Sequence, residues 1–501
     1  MNHKKLLLTL TLCLCALLCM VVTASASEVS DPHSHRICIC KGTECTDPAH
    51  NGNNHGSVTF ATELRQDGNT LYIGADKWEY DSVLGSYMLG AGTYYLSTDL
   101  TLDHRIQISD SNGGSVVLCL NGKTISCTTG KTIQIKSMKS KDLTFTLCDC
   151  KGGGMITHAE DSGNGSGVDV AYSGNINNTD VAKFIMYNGC ITQNKGSGVY
   201  LNANTAFTMY GGSITQNGYN DTSIFGGYGG GVYVASEASF TMYGGNITGN
   251  YANKNGGGVY VNADKTFVMY GGSITGNHTA GSGGGVNVNA GTITVGGNVN
   301  ISGNWQGNEN SSISNNNANN VYLPTNSTIT IEKALTGENS SIGVTTAAEP
   351  GTGSNVITFA NGNANTIATG IFTPDTAGVL VGVAADGTSA YLYKCSHEYD
   401  EWAYDEEYHW KKCTNVGCDS VEAGSKIAHT WDYPADYNNP KTCVCGATQG
   451  EPLTRSYYYY APSVAEDKKD SPKTADPGVL LYAGLALASL TGLACTAKKR
   501  H

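Results

Sequence analysis

The sequence predicts an all-β chain wound as a stack of parallel β-helix coils, on three observations: a repeated motif, a two-residue alternation within it, and paired glycines that punctuate it. Four segments align directly, FIMYNGCIT at Phe184, FTMYGGSIT at Phe207, FTMYGGNIT at Phe240 and FVMYGGSIT at Phe267, at spacings of 23, 33 and 27 residues. Each is followed by a Gly-rich step and a second apolar strand: GSGVYL from Gly196, GGGVYV from Gly229, GGGVYV from Gly256 and GGGVNV from Gly283. A degenerate copy starts at Ile293, with weaker ones at Val116 and Leu143. Repetition at this period belongs to solenoids or propellers.

The alternation chooses between them. Phe207 and Met209 point to one face while Thr208 and Tyr210 point to the other, and Val232 with Val234 repeats the pattern, as a strand requires. A four-stranded propeller blade needs about 40 residues, more than these units hold. Three short strands per coil fit, and the longest spacing is a coil with the loop from Gly218 to Tyr228 pushed outward.

Stacking then turns each repeated position into a column. Phe184, Phe207, Phe240 and Phe267 are predicted to form an inner aromatic column, and Ile191, Ile214, Ile247 and Ile274 an inner aliphatic one. Tyr187, Tyr210, Tyr243 and Tyr270 form an outward column. Asn194, Asn217, Asn250 and Asn277 fall where amide side chains can bond along the stack. The glycines supply the corner conformations. On these motifs the stretch from Met88 to Tyr393, most strongly Phe184 to Gly303, resembles the right-handed parallel β-helix proteins of Gram-positive gut bacteria with pectate-lyase-like architecture.

The ends of the chain point outside a cell. Residues 1–26 run from Lys4 and Lys5 through an apolar stretch to Ala24-Ser25-Ala26, the order of a cleaved signal peptide. Gly478 to Ala497 is an apolar segment of bilayer-spanning length followed by Lys498-Lys499-Arg500, a predicted transmembrane helix with a basic inner end. Just before it stands Ser471-Pro472-Lys473-Thr474-Ala475-Asp476, and this order of elements resembles the cell-wall sorting signal of Gram-positive surface proteins. Pro472 and Thr474 match the Leu-Pro-x-Thr-Gly pattern; Ser471 and Ala475 depart from it. The resemblance implies a sortase that cuts after Thr474 and joins the chain to peptidoglycan, with a plain membrane anchor as the other reading.

Composition excludes further classes. The chain of 501 residues carries 64 Gly, 14% charged residues and a net charge of −12, so neither a disordered segment nor a nucleic-acid binder is expected. Enzymes that cut polysaccharides on this fold use clustered carboxylates, often with calcium, and a cation at the developing anion. No Arg occurs between Arg105 and Arg455, and from Phe184 to Val321 the carboxylates Asp221, Glu237, Asp264 and Glu309 all fall in loops. His278 reads as a solvated loop side chain. The best remaining catalytic cluster is Glu160, Asp161 and Asp169 beside His158, an acidic insertion on the plainer reading. No catalytic residue is assigned and no enzyme is expected. The outward column at Tyr210, Tyr243 and Tyr270 is the candidate ligand surface for sugars or an extended partner, unless the rings stack on themselves to stiffen the rod.

Of 17 Cys, the five from Cys395 onward in the exported body share a short stretch with His and Trp. Two close pairs, Cys413/Cys418 and Cys443/Cys445, with His429 between them, resemble a zinc ribbon and the Cys/His modules that accompany β-helices in bacterial surface proteins. A structural zinc on Cys413, Cys418, Cys443 and Cys445, with His429 as competitor, is favoured over disulfides between the two pairs. A second cluster, His33, His35, Cys38, Cys40, Cys45, His50 and His55, reads as a smaller related module, and Cys119 and Cys148 as stacked thiols in the Tyr column. The predicted order is signal peptide 1–26, Cys/His leader and cap 27–87, β-helix 88–393, Cys/His module 394–450, linker 451–470 and sorting signal 471–501. The predicted function is a non-enzymatic surface adhesin or glycan-binding rod; the alternatives are a polysaccharide lyase or glycoside hydrolase, or a passive cell-wall spacer.

Overall fold

Periodic side chains of this kind can be satisfied only by their own copies on neighbouring coils, and a computed structural model of the chain is built that way. It describes residues 34–35, 58–109, 114–137, 143–158, 165–172, 182–218, 227–262 and 266–453, less 311, 313–316, 336–339, 353–354, 364–365, 416–417, 419, 432 and 437. The signal peptide, the Cys/His leader cluster apart from the backbone of His35, the linker beyond residue 453, Gly478 to Ala497, and Pro472, Thr474 and Ala475 lie outside these residues. The described residues are all-β, and no helix among them is long and apolar enough to cross a membrane.

Through the body of the stack, strands pair in parallel with strands one coil before and one coil after, not with their chain neighbours. Ala182–Met186 lies between Leu143–Cys148 and Thr205–Met209. This is a large, mostly parallel sheet compatible with a β-helix, and it excludes propeller blades.

Three ladders result. The first sets Phe145, Phe184, Phe207, Phe240, Phe267, Ile293 and Ile329 in register. The second aligns Ile125, Ile156, Ile191, Ile214, Ile247, Ile274, Ile301 and Ile342. The third aligns Ile133, Val168, Val199, Val232, Val259, Val286, Val321 and Val344. All of these side chains are buried, and they form one continuous core. Successive Phe rings from Phe184 to Phe267 stack at 4.8 Å between centroids. Each buried side chain contributes about 1.5–3 kcal/mol by leaving water.

A buried polar column runs beside this core. The Nδ2 of Asn194, Asn217, Asn250, Asn277 and Asn304 each donates to the Oδ1 of the next Asn in the column, ending at Asn320, over 2.8–3.0 Å. The same oxygens accept the backbone N–H of the preceding Asn, for example Asn217 to Asn250 at 3.0 Å. Asn250 Nδ2 also donates to Ile214 O at 2.9 Å, so its amide is fully used.

Two glycine positions make the close stacking possible. Gly245 has φ of 90°, and a Cβ there would come within 2.6 Å of Met209 Cε and 2.8 Å of Gly212 O. A Cβ on Gly231 would lie 2.5 Å from Gly258 O and 2.7 Å from Ile247 Cγ2. Only glycine fits at either corner.

Both ends of the stack change hand of pairing. Thr62–Asp67 runs antiparallel to Thr70–Ile73 while pairing in parallel with Gly92–Leu96. At the other end Ser389–Lys394 runs antiparallel to Ile357–Gly362 and Val379–Val383. Such ends interrupt the parallel edge that another strand would otherwise extend.

His278 departs from its predicted solvated place. With Thr279 it forms a short parallel strand between Tyr251–Ala252 and Trp305–Gln306, and its ring lies tilted against Tyr251 at 4.8 Å and stacked on Trp305 at 4.6 Å. It is buried, and burial pushes its pKa down.

Contacts divide the chain into two compact units. One holds the stack through Ala403 together with Trp410–Ile427; the other holds Tyr404–His409 and the chain from Ala428.

Candidate metal centres

The chain after Tyr393 contributes eight Cys and His donors before residue 450, and the structure sorts them into two groups of four. Cys395, His397, Cys413 and Cys418 form the first; His409, His429, Cys443 and Cys445 form the second. Within each group all ligand atoms lie within 4.8 Å of one another.

In the first group Cys395 Sγ and Cys413 Sγ are 3.4 Å apart and Cys418 Sγ is 3.3 Å from His397 Nδ1. Around Cys395 and Cys413 the chain turns so that backbone N–H groups face the sulfur. His397 N–H donates to Cys395 Sγ and Asn415 N–H to Cys413 Sγ, both at 3.4 Å, and Asn415 Nδ2 reaches Cys395 Sγ at 3.0 Å. Cys395, Cys413 and Leu380 share a small apolar cluster with Tyr393, Tyr399 and Cys418. Burial pushes the Cys413 thiol up, but hydrogen bonds from Asn415 N–H and His397 outweigh it and bring the pKa to about 6. Burial raises Cys395.

In the second group Cys443 Sγ is 3.3 Å from His409 Nδ1, Cys445 Sγ is 3.5 Å from His429 Nδ1, and the two Nδ1 atoms are 3.4 Å apart. His429 Nε2 faces the Asp405 carbonyl oxygen at 2.9 Å. That bond fixes the ring with Nδ1 toward the group, as the outer partner of a metal-ligating histidine does. Cys443 is raised by burial but lowered further by the Cys445 N–H and His429, to about 7.

These distances fit one ion per group. Four ligands at zinc–sulfur and zinc–nitrogen lengths span tetrahedron edges of about 3.3–3.8 Å. Three Cys with one His, and two Cys with two His, are donor sets that could hold a metal ion such as zinc with no coordination position left open.

The predicted ligand set is thereby redistributed. Cys413 and Cys418 belong with Cys395 and His397, whereas Cys443 and Cys445 belong with His409 and His429; the four cysteines do not share one centre. Cys395, His397 and His409 are the donors that sequence reasoning passed over. Their signal was the total of eight, twice what one ion takes, and the match between Cys395-Ser396-His397 and Cys443-Val444-Cys445 as pairs two residues apart.

The tyrosine column forms in register, but Tyr187 is buried rather than outward, Tyr210, Tyr243 and Tyr270 are half-buried, and the ring faces are spent. Tyr187, Tyr210 and Tyr243 stack at 4.9 and 5.1 Å, and Tyr270 follows at 5.4 Å. Lys333 Nζ lies 4.4 Å over the Tyr270 ring, whose hydroxyl donates to Glu332 and is raised by that bond to about 12. A second column, not singled out from sequence, stacks Tyr200 on Tyr233 at 4.5 Å and Tyr233 on Tyr260 at 5.6 Å.

The buried carboxylates Asp149 and Asp169 and the half-buried Asp375 are each held by structure. Asp149 accepts from Gly122 N–H and Gly154 N–H at 2.7 Å, Asp169 is 2.8 Å from Lys131 Nζ, and Asp375 accepts from Asn320 and Thr345. Glu160 and Asp161 lie outside the described residues. His158 is buried with its Nδ1 accepting Lys195 N–H at 3.2 Å, and burial drives its pKa down to about 4.

Compared with known proteins, the chain matches no family model, and no curated protein and no solved structure is significantly similar to it.

Proposed function

We propose that the chain is a non-enzymatic, surface-displayed β-helical rod of the adhesin type, right-handed and pectate-lyase-like in architecture, with two structural zinc ions closing its C-terminal Cys/His region. The observation that carries this reading is how the polar and aromatic groups of the rod are used. Asp149, Asp169 and Asp375 each serve the backbone, a lysine or the asparagine ladder, and among the described residues the groups of three or more metal-type donors are the two Cys/His sets. A polysaccharide-cutting site needs carboxylates left to work as acid and base. The leader at residues 1–26 and the tail at 471–501 support export and covalent attachment through Pro472, Thr474 and Ala475 to peptidoglycan by a sortase.

The outward tyrosines offer edges and hydroxyls to glycans or a surface partner. Their mutual covering favours a second reading, a passive spacer that holds other groups away from the wall. A glycan and matrix-protein binding screen of residues 27–470, with pectin cleavage assayed alongside, separates the readings. Binding weakened by replacing Tyr210, Tyr243 and Tyr270 with Ala supports the adhesin. Silence in the screen leaves the spacer, and released oligosaccharide overturns the non-enzymatic reading.

A further inference from the structure

The geometry points to a disulfide-forming site at Cys119 and Cys150, a covalent staple across neighbouring coils that is independent of the metal centres. Val116–Cys119 and Leu143–Cys148 are parallel neighbours with Cys119 in register with Cys148, which makes that pair the obvious one from sequence. The side chains of both Cys148 and Cys150 interact with Cys119, and the sulfur positions favour the second. Cys148 Sγ turns to the Leu118 carbonyl at 3.6 Å, whereas Cys119 Sγ lies 3.5 Å from Cys150 Sγ.

Cys119 is buried in a small cluster with Phe60, Cys148 and Tyr187, and Cys150 sits at its half-buried edge, where its sulfur also faces Asn121 Oδ1 at 3.5 Å. A disulfide needs the sulfurs drawn from this distance to about 2.05 Å. Cys150 follows the end of its strand, outside the parallel ladder that fixes Cys119 against Cys148. In the column Cys119 and Cys148 stand between Tyr95, in register with Cys119, and the stacked tyrosines that begin at Tyr187.

The reaction is thiol–disulfide exchange with a small-molecule or protein disulfide as oxidant. Cys150, the more accessible thiol, loses its proton and attacks one sulfur of that disulfide, releasing the other as a thiolate. Cys119 then loses its proton, attacks Cys150 Sγ and displaces the second donor thiolate. Two protein thiols become one disulfide, and the donor takes up two electrons and the two protons.

The test uses the full, zinc-loaded protein treated with oxidised glutathione, then alkylated, digested and mapped by mass spectrometry. The expected product is a Cys119–Cys150 cross-linked peptide lighter by two hydrogens, with Cys148 still alkylated after unfolding. Cys148→Ser retains the cross-link, and Cys150→Ser abolishes it. A Cys119–Cys148 cross-link, a stable glutathione adduct on Cys150 beside a reduced Cys119, or both thiols recovered intact in wild-type protein would each overturn the proposal.

Discussion

Asp375 receives Asn320 at both carboxylate oxygens, one accepting the backbone N–H and the other Nδ2, each at 2.6 Å. Every amide in the ladder below passes its donors to the next oxygen, so the last one needs an acceptor that asks for nothing in return. A carboxylate meets that condition, whereas a further asparagine would need its own neighbour. Burial pushes the Asp375 carboxyl above its ordinary value, and the hydrogen bonds from Asn320 and Thr345 pull against that rise. Asp375→Ala leaves two buried N–H groups without an acceptor and should cost about 2–4 kcal/mol in chemical denaturation. Unchanged stability would show that the ladder is terminated by solvent instead.

Removing a ladder rung should cost as much without any change of charge. Asn250→Ala takes away the acceptor of Asn217 N–H and Nδ2. A loss of about 2–4 kcal/mol is expected, with Asn250→Asp no better, since it has no Nδ2 to donate to Asn277. Circular dichroism melts of the three proteins decide it.

His158 gives the stacked coils an acid limit. Its Nδ1 already accepts the Lys195 N–H, so a proton there meets a donor, and the folded pKa of about 4 lies below the ordinary 6.5. The folded state therefore binds fewer protons than the unfolded chain. Its contribution is full above pH 6.5 and is lost as pH falls toward 4, about 3 kcal/mol in all. His158→Asn keeps an acceptor for Lys195 but cannot titrate. The stability difference between wild type and variant should shift in favour of the variant between pH 7 and pH 4.5, and a constant difference would remove the histidine from the account.

The two Cys/His groups, each able to hold one ion, predict two ions per chain with separable loss. Metal analysis of Cys413→Ser should find one zinc equivalent remaining, Cys443→Ser likewise, and the double variant none. If either single substitution empties both, the four cysteines share one centre after all.

Crowding and conformation can be told apart at two glycines. Gly245 and Gly249 both have positive φ, 90° and 64°, but a Cβ on Gly249 meets its nearest neighbours at 3.8 Å, far looser than at Gly245. Gly249→Ala should cost about 1 kcal/mol and Gly245→Ala about 2–4 kcal/mol. Equal costs would assign the whole effect to φ.

Phe184, Ile191 and Asn194 could be placed from sequence because identical residues recur at each coil, and a column needs no further information than its period. The loop from Gly218 to Tyr228 did not disturb the register, since Phe207 still pairs with Phe240. His278 could not be placed, because its strand of two residues is too short to show alternation. The metal ligands failed for a different reason. His409 precedes Cys413 yet belongs with Cys445, so donors of the two centres interleave along the chain and proximity in sequence groups them wrongly. Cys150 was hidden because it lies past the end of the repeat, in a turn whose geometry the period does not specify. Within the Tyr column Tyr187 is buried and the other three are half-buried, because alternation alone could not tell a ring that faces solvent from one that faces its copy.

The asparagine ladder has a genetic corollary. Because each rung bonds to a duplicate of itself and to the backbone of equivalent coils, a coil gained or lost by unequal recombination between repeats leaves the ladder junctions alike, and only the terminus at Asp375 must be kept. Such a molecule can change its reach by about 4.8 Å per event without relearning how to fold.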